Sequence, residues 1–139
     1  MSVFTTNGLT RLSSVVFAIV AFAPPALGHH SFAAQYDSTK PIRLTGTVAK
    51  VDWTNPHIHF YLDVKDDTGR VTQWTFEGYP PNMLVRQGWK REVTMKVGDT
   101  VTVSGWLARA ESNTGAAREV TWPDGRKLTS GPPATIGGQ

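Results

Sequence analysis

The clearest pattern of apolar and polar positions lies in residues 57–64, where the two kinds of side chain alternate without interruption. The apolar positions are Ile58, Phe60, Leu62 and Val64, and the polar positions are His57, His59, Tyr61 and Asp63. A period of two is typical of a β-strand that buries one face and turns the other towards solvent or a ligand. We therefore predict a strand here, with both histidines on its open face.

Other segments with strand-forming side chains predict a larger sheet. The predicted strands cover residues 41–53, 57–64, 70–77, 100–108 and 117–122, with a short edge strand at 126–129. Gly46 and Gly105 interrupt the first and the fourth of these strands, and a glycine inside a strand typically marks a bulge or a sharp bend. The sheet is therefore expected to curl at these two positions.

One short helix is predicted over residues 80–87. Pro80-Pro81 suits a first helical turn, and Gly88 suits the left-handed residue that follows a helix. The order of three strands, a helix and two strands matches the OB-fold. We expect an all-β fold, namely a small OB-fold-like five-stranded antiparallel barrel with one short helix between strands 3 and 4. Another small antiparallel barrel or a sandwich is the alternative.

The first 28 residues have the pattern of a secretory signal peptide. A polar opening carries one charge at Arg11, an apolar run covers residues 12–23, and Ala26 and Gly28 are small residues before a cleavage site. The run is shorter than the roughly 20 residues that span a bilayer. We expect cleavage after Gly28, a periplasmic or secreted protein, and no stable membrane span after cleavage.

The rest of the chain has the length of one domain. We expect a single barrel domain at residues 29–129 and a disordered tail, rich in glycine and proline, at residues 130–139. The chain contains no cysteine, which excludes disulfides, iron–sulfur clusters, thiolate metal sites and cysteine nucleophiles. Any metal ion would therefore need nitrogen and oxygen ligands.

The net charge gives little indication of a polyanionic partner. The chain has 14 Lys+Arg and 11 Asp+Glu, and loss of Arg11 with the signal peptide leaves 14 − 1 = 13 cations against 11 anions, a net charge of +2. Nucleic-acid-binding proteins usually gather their cations on one face. The nearest such group here is Arg86, Lys90, Arg91 and Lys96. It is interpreted as a solvated loop, and no nucleic-acid partner is expected.

The segment at residues 29–37, His-His-Ser-Phe-Ala-Ala-Gln-Tyr-Asp, resembles the mature start of a family of small exported bacterial proteins without an assigned function. The resemblance continues through residues 44–48, 53–57 (Trp-Thr-Asn-Pro-His), 76–78 and 123–127. It implies export and a compact β-rich domain, and it implies no activity. Gly28 stands where typical members have alanine before the two histidines, and glycine is also small enough for cleavage.

All four histidines fall into two pairs that are suited to metal binding. Cleavage after Gly28 would give His29 a free α-amino group beside its ring, and this terminus with His30 would resemble the histidine brace of copper proteins. Nitrogen ligands in tetragonal geometry favour Cu(II), with zinc as the second choice. His57 and His59, about 6.5–7 Å apart on one strand face, can converge on one ion through bonds of about 2.0–2.1 Å.

The oxygen ligands are less defined, because the sequence does not place Glu77 or Asp63. The histidines also have simpler interpretations. His29 and His30 would then be a flexible tail that binds stray copper, and His57 and His59 would be ordinary exposed strand residues.

The leading hypothesis is a non-catalytic module that binds a transition metal ion through His29, His30, His57 and His59. The second hypothesis is a binding module for a periplasmic protein or a small ligand, which uses the tryptophans on the barrel face as its contact surface. The third is a copper-dependent oxidoreductase. It ranks last because so short a chain offers no substrate groove, and no catalytic residue is assigned.

Overall fold

The computed structural model describes Met1 and residues 31–132. The rest of the predicted signal peptide, His29, His30 and residues 133–139 lie outside the described residues. The two helices are α1 (Phe32–Gln35) and α2 (Pro81–Arg86), and the six strands are β1 (Tyr36–Asp52), β2 (His59–Lys65), β3 (Val71–Glu77), β4 (Thr100–Ala108), β5 (Thr114–Thr121) and β6 (Lys127–Thr129).

The strands form a closed ring. Their order across the sheet is β3-β2-β1-β4-β5-β6, and β3 pairs in addition with β5. That last pairing is parallel, whereas the other pairings are antiparallel. Five strands thus close in the order β1-β2-β3-β5-β4, and α2 lies in the chain between β3 and β4. This is the OB-fold arrangement, so the predicted fold class is confirmed.

Two glycines allow the sheet to curl where the sequence predicts it. A Cβ at Gly46 would lie 2.8 Å from the carbonyl oxygen of Asp63 on β2, and a Cβ at Gly105 would overlap the carbonyl oxygen of Ala116 on β5. The register between β4 and β5 shifts at Gly105, and the register between β1 and β2 shifts just after Gly46. Both strands bend here because no side chain keeps the neighbouring backbone away.

The interior follows the alternation of β2, since Ile58, Phe60 and Leu62 are fully buried. Three tryptophans pack together at the edge of this core: the ring of Trp89 lies 6.4 Å from Trp53 and 5.9 Å from Trp122. Trp89 is also fixed through its Nε1, which donates a hydrogen bond of 2.8 Å to the Thr129 carbonyl. The remaining members of the buried core are Val48, Phe76, Leu84, Met95, Val101, Val103, Ala117 and Val120.

The start of the domain differs from the sequence prediction. No helix or strand is predicted in the lead-in before residue 41, but the structure has α1 there, and β1 begins at Tyr36, five residues before the predicted start. Tyr36 packs against Trp106 and Ala116 in a second small apolar cluster, which Phe32 covers. The aromatic rings of this lead-in bury enough apolar surface to order a segment whose other residues are polar or small.

The end of the domain also differs. The predicted disordered tail begins at residue 130, but Ser130 is fully buried and Gly131 is buried beside it. The Ser130 amide donates to the Arg118 carbonyl at 2.8 Å, and its carbonyl accepts from the Tyr79 amide at 2.7 Å. The chain therefore continues its backbone pairing beyond β6, which composition alone does not indicate.

We expect replacement of Gly105 by alanine to lower the free energy of unfolding by about 2–3 kcal/mol, because the added methyl group forces β4 away from β5. Urea titration followed by tryptophan fluorescence measures this change. Ser104→Ala is the matched control on the adjacent, more exposed position, and its effect should stay within about 0.5 kcal/mol. Equal effects of the two substitutions would contradict the assigned bend.

Candidate functional site

A carboxylate lies between the two histidines that the sequence singles out. Strand pairing places Glu77, the last residue of β3, directly opposite His59, the first residue of β2. Oε1 of Glu77 lies 2.6 Å from Nδ1 of His57, and Oε2 lies 3.7 Å from Nε2 of His59. Each imidazole therefore turns a ring nitrogen towards a different oxygen of one carboxylate.

Tyr36 connects the start of the domain to this carboxylate. Its hydroxyl donates a hydrogen bond of 2.8 Å to Oε2 of Glu77, although the two residues are 41 positions apart. The tyrosine ring is buried between α1 and β4, whose Trp106 packs on it. The cluster thus has four members: Tyr36, His57, His59 and Glu77.

The electrostatics of the cluster favour a charged carboxylate. Burial alone would raise the pKa of Glu77, but its interactions with His59 and Tyr36 and the charge of the imidazoles outweigh burial and lower that pKa. The interaction with Glu77 raises the pKa of His59 against its partial burial. Burial and the adjacent carboxylate raise the pKa of Tyr36 far above its usual range, so the phenol stays protonated.

A hollow of about 260 Å³ adjoins the cluster and gives it access to solvent. Its polar lining residues are Gln35, Tyr36, His59, Thr75, Glu77, Glu111 and Thr114. The imidazole rings of His57 and His59 expose 40% and 39% of their side-chain surface, against 20% for Glu77. An ion or a small ligand can therefore reach the imidazoles, while the carboxylate lies deeper.

The structure brings together some of the predicted site residues. His57 and His59 meet at Glu77, but His57 lies in the loop before β2 and not in the strand that the alternation predicts. The Asp63 carboxylate lies elsewhere, where it accepts a hydrogen bond from Gln73. His29 and His30 lie outside the described residues. Among residues 31–132, no group of three or more His, Asp or Glu side chains is arranged to hold a metal ion.

Tyr36 was not predicted to be a site residue, because it lies before the first predicted strand. The spacing of four residues between Phe32 and Tyr36 is the local signal in the sequence that could have placed Tyr36 in a packed element. In the structure the centroids of these two rings lie 5.2 Å apart. Glu77 was a possible oxygen ligand without a position, and only the β2–β3 register assigns it one.

The tryptophans serve mainly in packing. Trp89, Trp106 and Trp122 are buried, and Trp53 and Trp74 are half-buried against the main core. Their rings therefore offer little free surface for a ligand.

The closed five-stranded ring and its helix define a protein of the OB-fold class. More specifically, the chain belongs to a family of unknown function, DUF6152, whose profile matches residues 17–118. Comparison with curated proteins gave no match. In the part of the chain that the structure describes, no helix is long and apolar enough to cross a membrane.

Among solved structures, the chain is similar to a dimeric structure of the N-terminal domain of PriB protein from Thermoanaerobacter tencongensis. The two are 20% identical, the TM-score is 0.43, and the match covers 60% of this chain and 96% of that one. The OB-fold of this chain is assigned from its own strand order and closure.

We expect the His59–Glu77 pair to stabilise the metal-free protein most strongly between about pH 4.5 and 6.5. Because the pKa of His59 is raised in the folded protein, its contribution to the free energy of unfolding is complete below pH 6.5. This contribution is lost as the pH rises through the pKa of His59 in the folded protein. Because the pKa of Glu77 is lowered in the folded protein, its contribution to the free energy of unfolding is complete above pH 4.5. This contribution is lost as the pH falls through the pKa of Glu77 in the folded protein.

The measurement is urea unfolding of the wild type and His59→Gln, with a chelator present, at about pH 5.5 and 8.5. The difference should be at most about 1 kcal/mol at the lower pH, because the pair is partly exposed, and should shrink at the higher pH. Lys50→Gln is the control, because the Lys50–Asp52 pair, with an N···O distance of 2.8 Å, keeps both charges over this range. A His59→Gln effect that does not change with pH would contradict the assigned pair.

Proposed function

We propose that the protein is an exported, non-catalytic module that binds a transition metal ion, with copper as the first candidate and zinc as the second. The observation that carries this proposal is the convergence of His57 and His59 on the Glu77 carboxylate. Two imidazoles and one carboxylate are a ligand set that transition metals use in many proteins. Export, by cleavage after Gly28 into the periplasm or outside the cell, is part of the proposal.

The geometry around Glu77 supports binding of a cation in two ways. The carboxylate stays negatively charged, and it turns Nδ1 of His57 and Nε2 of His59 towards the same small region. The N···O distances of 2.6 and 3.7 Å lie on either side of the roughly 3.3 Å that separates neighbouring ligands of a tetrahedral ion, so binding requires the three side chains to shift. In the metal-free protein the imidazoles contact the carboxylate directly, and these contacts would open to admit an ion between the three side chains.

The ligand set needs at least one further donor, which we assign to the terminal pair His29 and His30. Tyr36, only six residues after His30, is bonded to Glu77. Six residues span at most about 22 Å when fully extended, so the terminal imidazoles start within reach of the cluster. A His29 with a free α-amino group would add two nitrogen ligands, which favours copper.

The two other hypotheses remain, with less support. A ligand-binding module would need an aromatic contact surface, but three of the five tryptophans are buried. A copper-dependent oxidoreductase would need a substrate site, and the hollow beside His59 is small. A nucleic-acid partner is not part of the proposal, and neither is a membrane span.

The test is calorimetric titration of Cu(II), and separately of Zn(II), into the secreted protein after its N-terminal mass has been determined. We expect tight one-to-one binding of Cu(II) by a chain that begins at His29. The variant His57→Gln/His59→Gln should weaken binding by at least about 2.7 kcal/mol, a hundredfold. His29→Gln/His30→Gln should weaken it similarly, and the four substitutions together should add little, because both pairs serve one site.

Asp63→Asn is the matched control, since Asp63 lies on the same strand as His59 but points to Gln73. Its affinity for Cu(II) should equal that of the wild type. Unchanged affinity in His57→Gln/His59→Gln would overturn the proposal and leave the terminal histidines as a loose tail. Sensitivity to Trp53 or Trp74 replacement in a ligand screen, together with weak metal binding, would favour the ligand-binding module.

A further inference from the structure

The loop between α2 and β4 at residues 90–97, called here the 90–97 loop, exposes its valines and buries its threonine. Val93 and Val97 are 64% and 69% exposed, whereas Thr94 is 5% exposed and Met95 4%. Valine is ordinarily the buried residue of such a pair and threonine the exposed one. This reversed arrangement is a feature that neither the core nor the proposed metal site explains.

Hydrogen bonds hold the loop in this arrangement. The Lys90 amide donates to Oγ1 of Thr94 at 2.7 Å, and the Thr94 amide donates to the Lys90 carbonyl at 2.9 Å. The far end is fixed where the Gly98 amide donates to the Val48 carbonyl on β1 at 2.8 Å. The valines are therefore presented by a fixed turn, and they cannot fold inward without breaking these bonds.

Cations flank the exposed valines in the sequence of the loop. Lys90, Arg91 and Lys96 are all exposed, and the loop has one acidic residue, Glu92, which lies 3.3 Å from Arg91. Beside the loop is a hollow of about 240 Å³, lined by Val51, Trp53, Arg91, Glu92, Met95, Lys96 and Val97. Its lining thus combines apolar side chains with two cations.

Two further exposed apolar side chains lie on α2, which precedes the loop in the chain. Met83 and Val85 are 37% and 58% exposed there, and Arg86 adds a further cation at the end of the helix. In residues 31–132, four of the five exposed large apolar side chains lie in residues 83–97, and the fifth is Val71. Apolar and basic side chains are therefore concentrated in this part of the chain.

We propose that the 90–97 loop docks the protein on the surface of an anionic phospholipid bilayer. Val93 and Val97 would enter the interface, while Lys90, Arg91 and Lys96 contact lipid phosphates. Apolar side chains flanked by lysine and arginine are the pattern of proteins that lie on membranes without spanning them. A protein partner fits less well, because lysine is depleted in protein–protein interfaces. This inference does not depend on metal binding.

The experiment is co-sedimentation of the secreted protein with vesicles of equal parts phosphatidylcholine and phosphatidylglycerol, and with vesicles of phosphatidylcholine alone. We expect binding to the anionic vesicles, at least about tenfold weaker binding to the neutral ones, and weakening by added salt. Val93→Ser/Val97→Ser and Lys90→Gln/Arg91→Gln/Lys96→Gln should each reduce binding at least about tenfold.

Two control variants carry the same kinds of substitution outside the 90–97 loop. Val71→Ser removes a valine that is 56% exposed from the start of β3, and Lys40→Gln/Lys65→Gln/Arg70→Gln removes three exposed cations elsewhere. Both should bind within about twofold of the wild type. All variants share the same N-terminal segment, so a hydrophobic leader cannot produce a difference between them. Circular dichroism confirms that each variant is folded.

The proposal is overturned if the wild type binds anionic and neutral vesicles equally. It is also overturned if the loop variants bind as the wild type does. A wild type that ignores vesicles but self-associates, with the association lost in Val93→Ser/Val97→Ser, would assign the loop to a second copy of this chain instead.

Discussion

The parallel pairing of β3 with β5 closes the barrel, and the candidate site depends on that closure. Thr75, Phe76 and Glu77 of β3 pair with Thr114, Gly115 and Ala116 of β5. The space is tight, because a Cβ at Gly115 would lie 2.6 Å from the Ile42 side chain and 2.9 Å from the Trp106 carbonyl. The same Cβ would lie 3.2 Å from the Phe76 ring of β3, so a side chain at this position would crowd three neighbouring strands. Glu77 then has β2 on one side and β5 on the other, which fixes its backbone.

This position explains why one carboxylate can organise three partners. The β2–β3 register brings His59 opposite Glu77, and β4, which pairs with both β1 and β5, brings Trp106 under Tyr36. Burial at this junction keeps bulk water away from one side of the carboxylate, and the contacts with the imidazoles and the hydrogen bond from the Tyr36 hydroxyl take the place of that water. The same closure that completes the core therefore also assembles the polar cluster.

Local patterns predicted much of the fold. The strand at residues 100–108 has the predicted bounds, and the bends at Gly46 and Gly105 follow from glycine inside β-forming segments. The start of β5 was predicted three residues late, because Gly115 and Ala116 have low strand propensity. Their pairing is decided by contact with β3, which is distant in sequence. Tyr36 was missed as a strand residue because its partner in the sheet, Ala108, is also distant in sequence.

The site was predictable only in part. Two histidines with i, i+2 spacing indicated a shared location, and they do share one. The sequence did not show whether Glu77 or Asp63 is the carboxylate that joins the two histidines, because the answer depends on the register of β2 and β3. The alternation also predicted that His57 belongs to the second strand, whereas His57 lies in the loop before β2. This loop nevertheless turns the His57 side chain towards the same carboxylate.

The bond between Tyr36 and Glu77 has a practical consequence for handling the protein. It fixes the beginning of the domain beside the cluster, so an affinity tag fused in front of residue 29 would be tethered near His57 and His59. A polyhistidine tag there would bring its own imidazoles to the same carboxylate and would hide or imitate any native chemistry. The other end of the domain carries the same risk, because the Ser130 carbonyl accepts a hydrogen bond from the Tyr79 amide, two residues after Glu77.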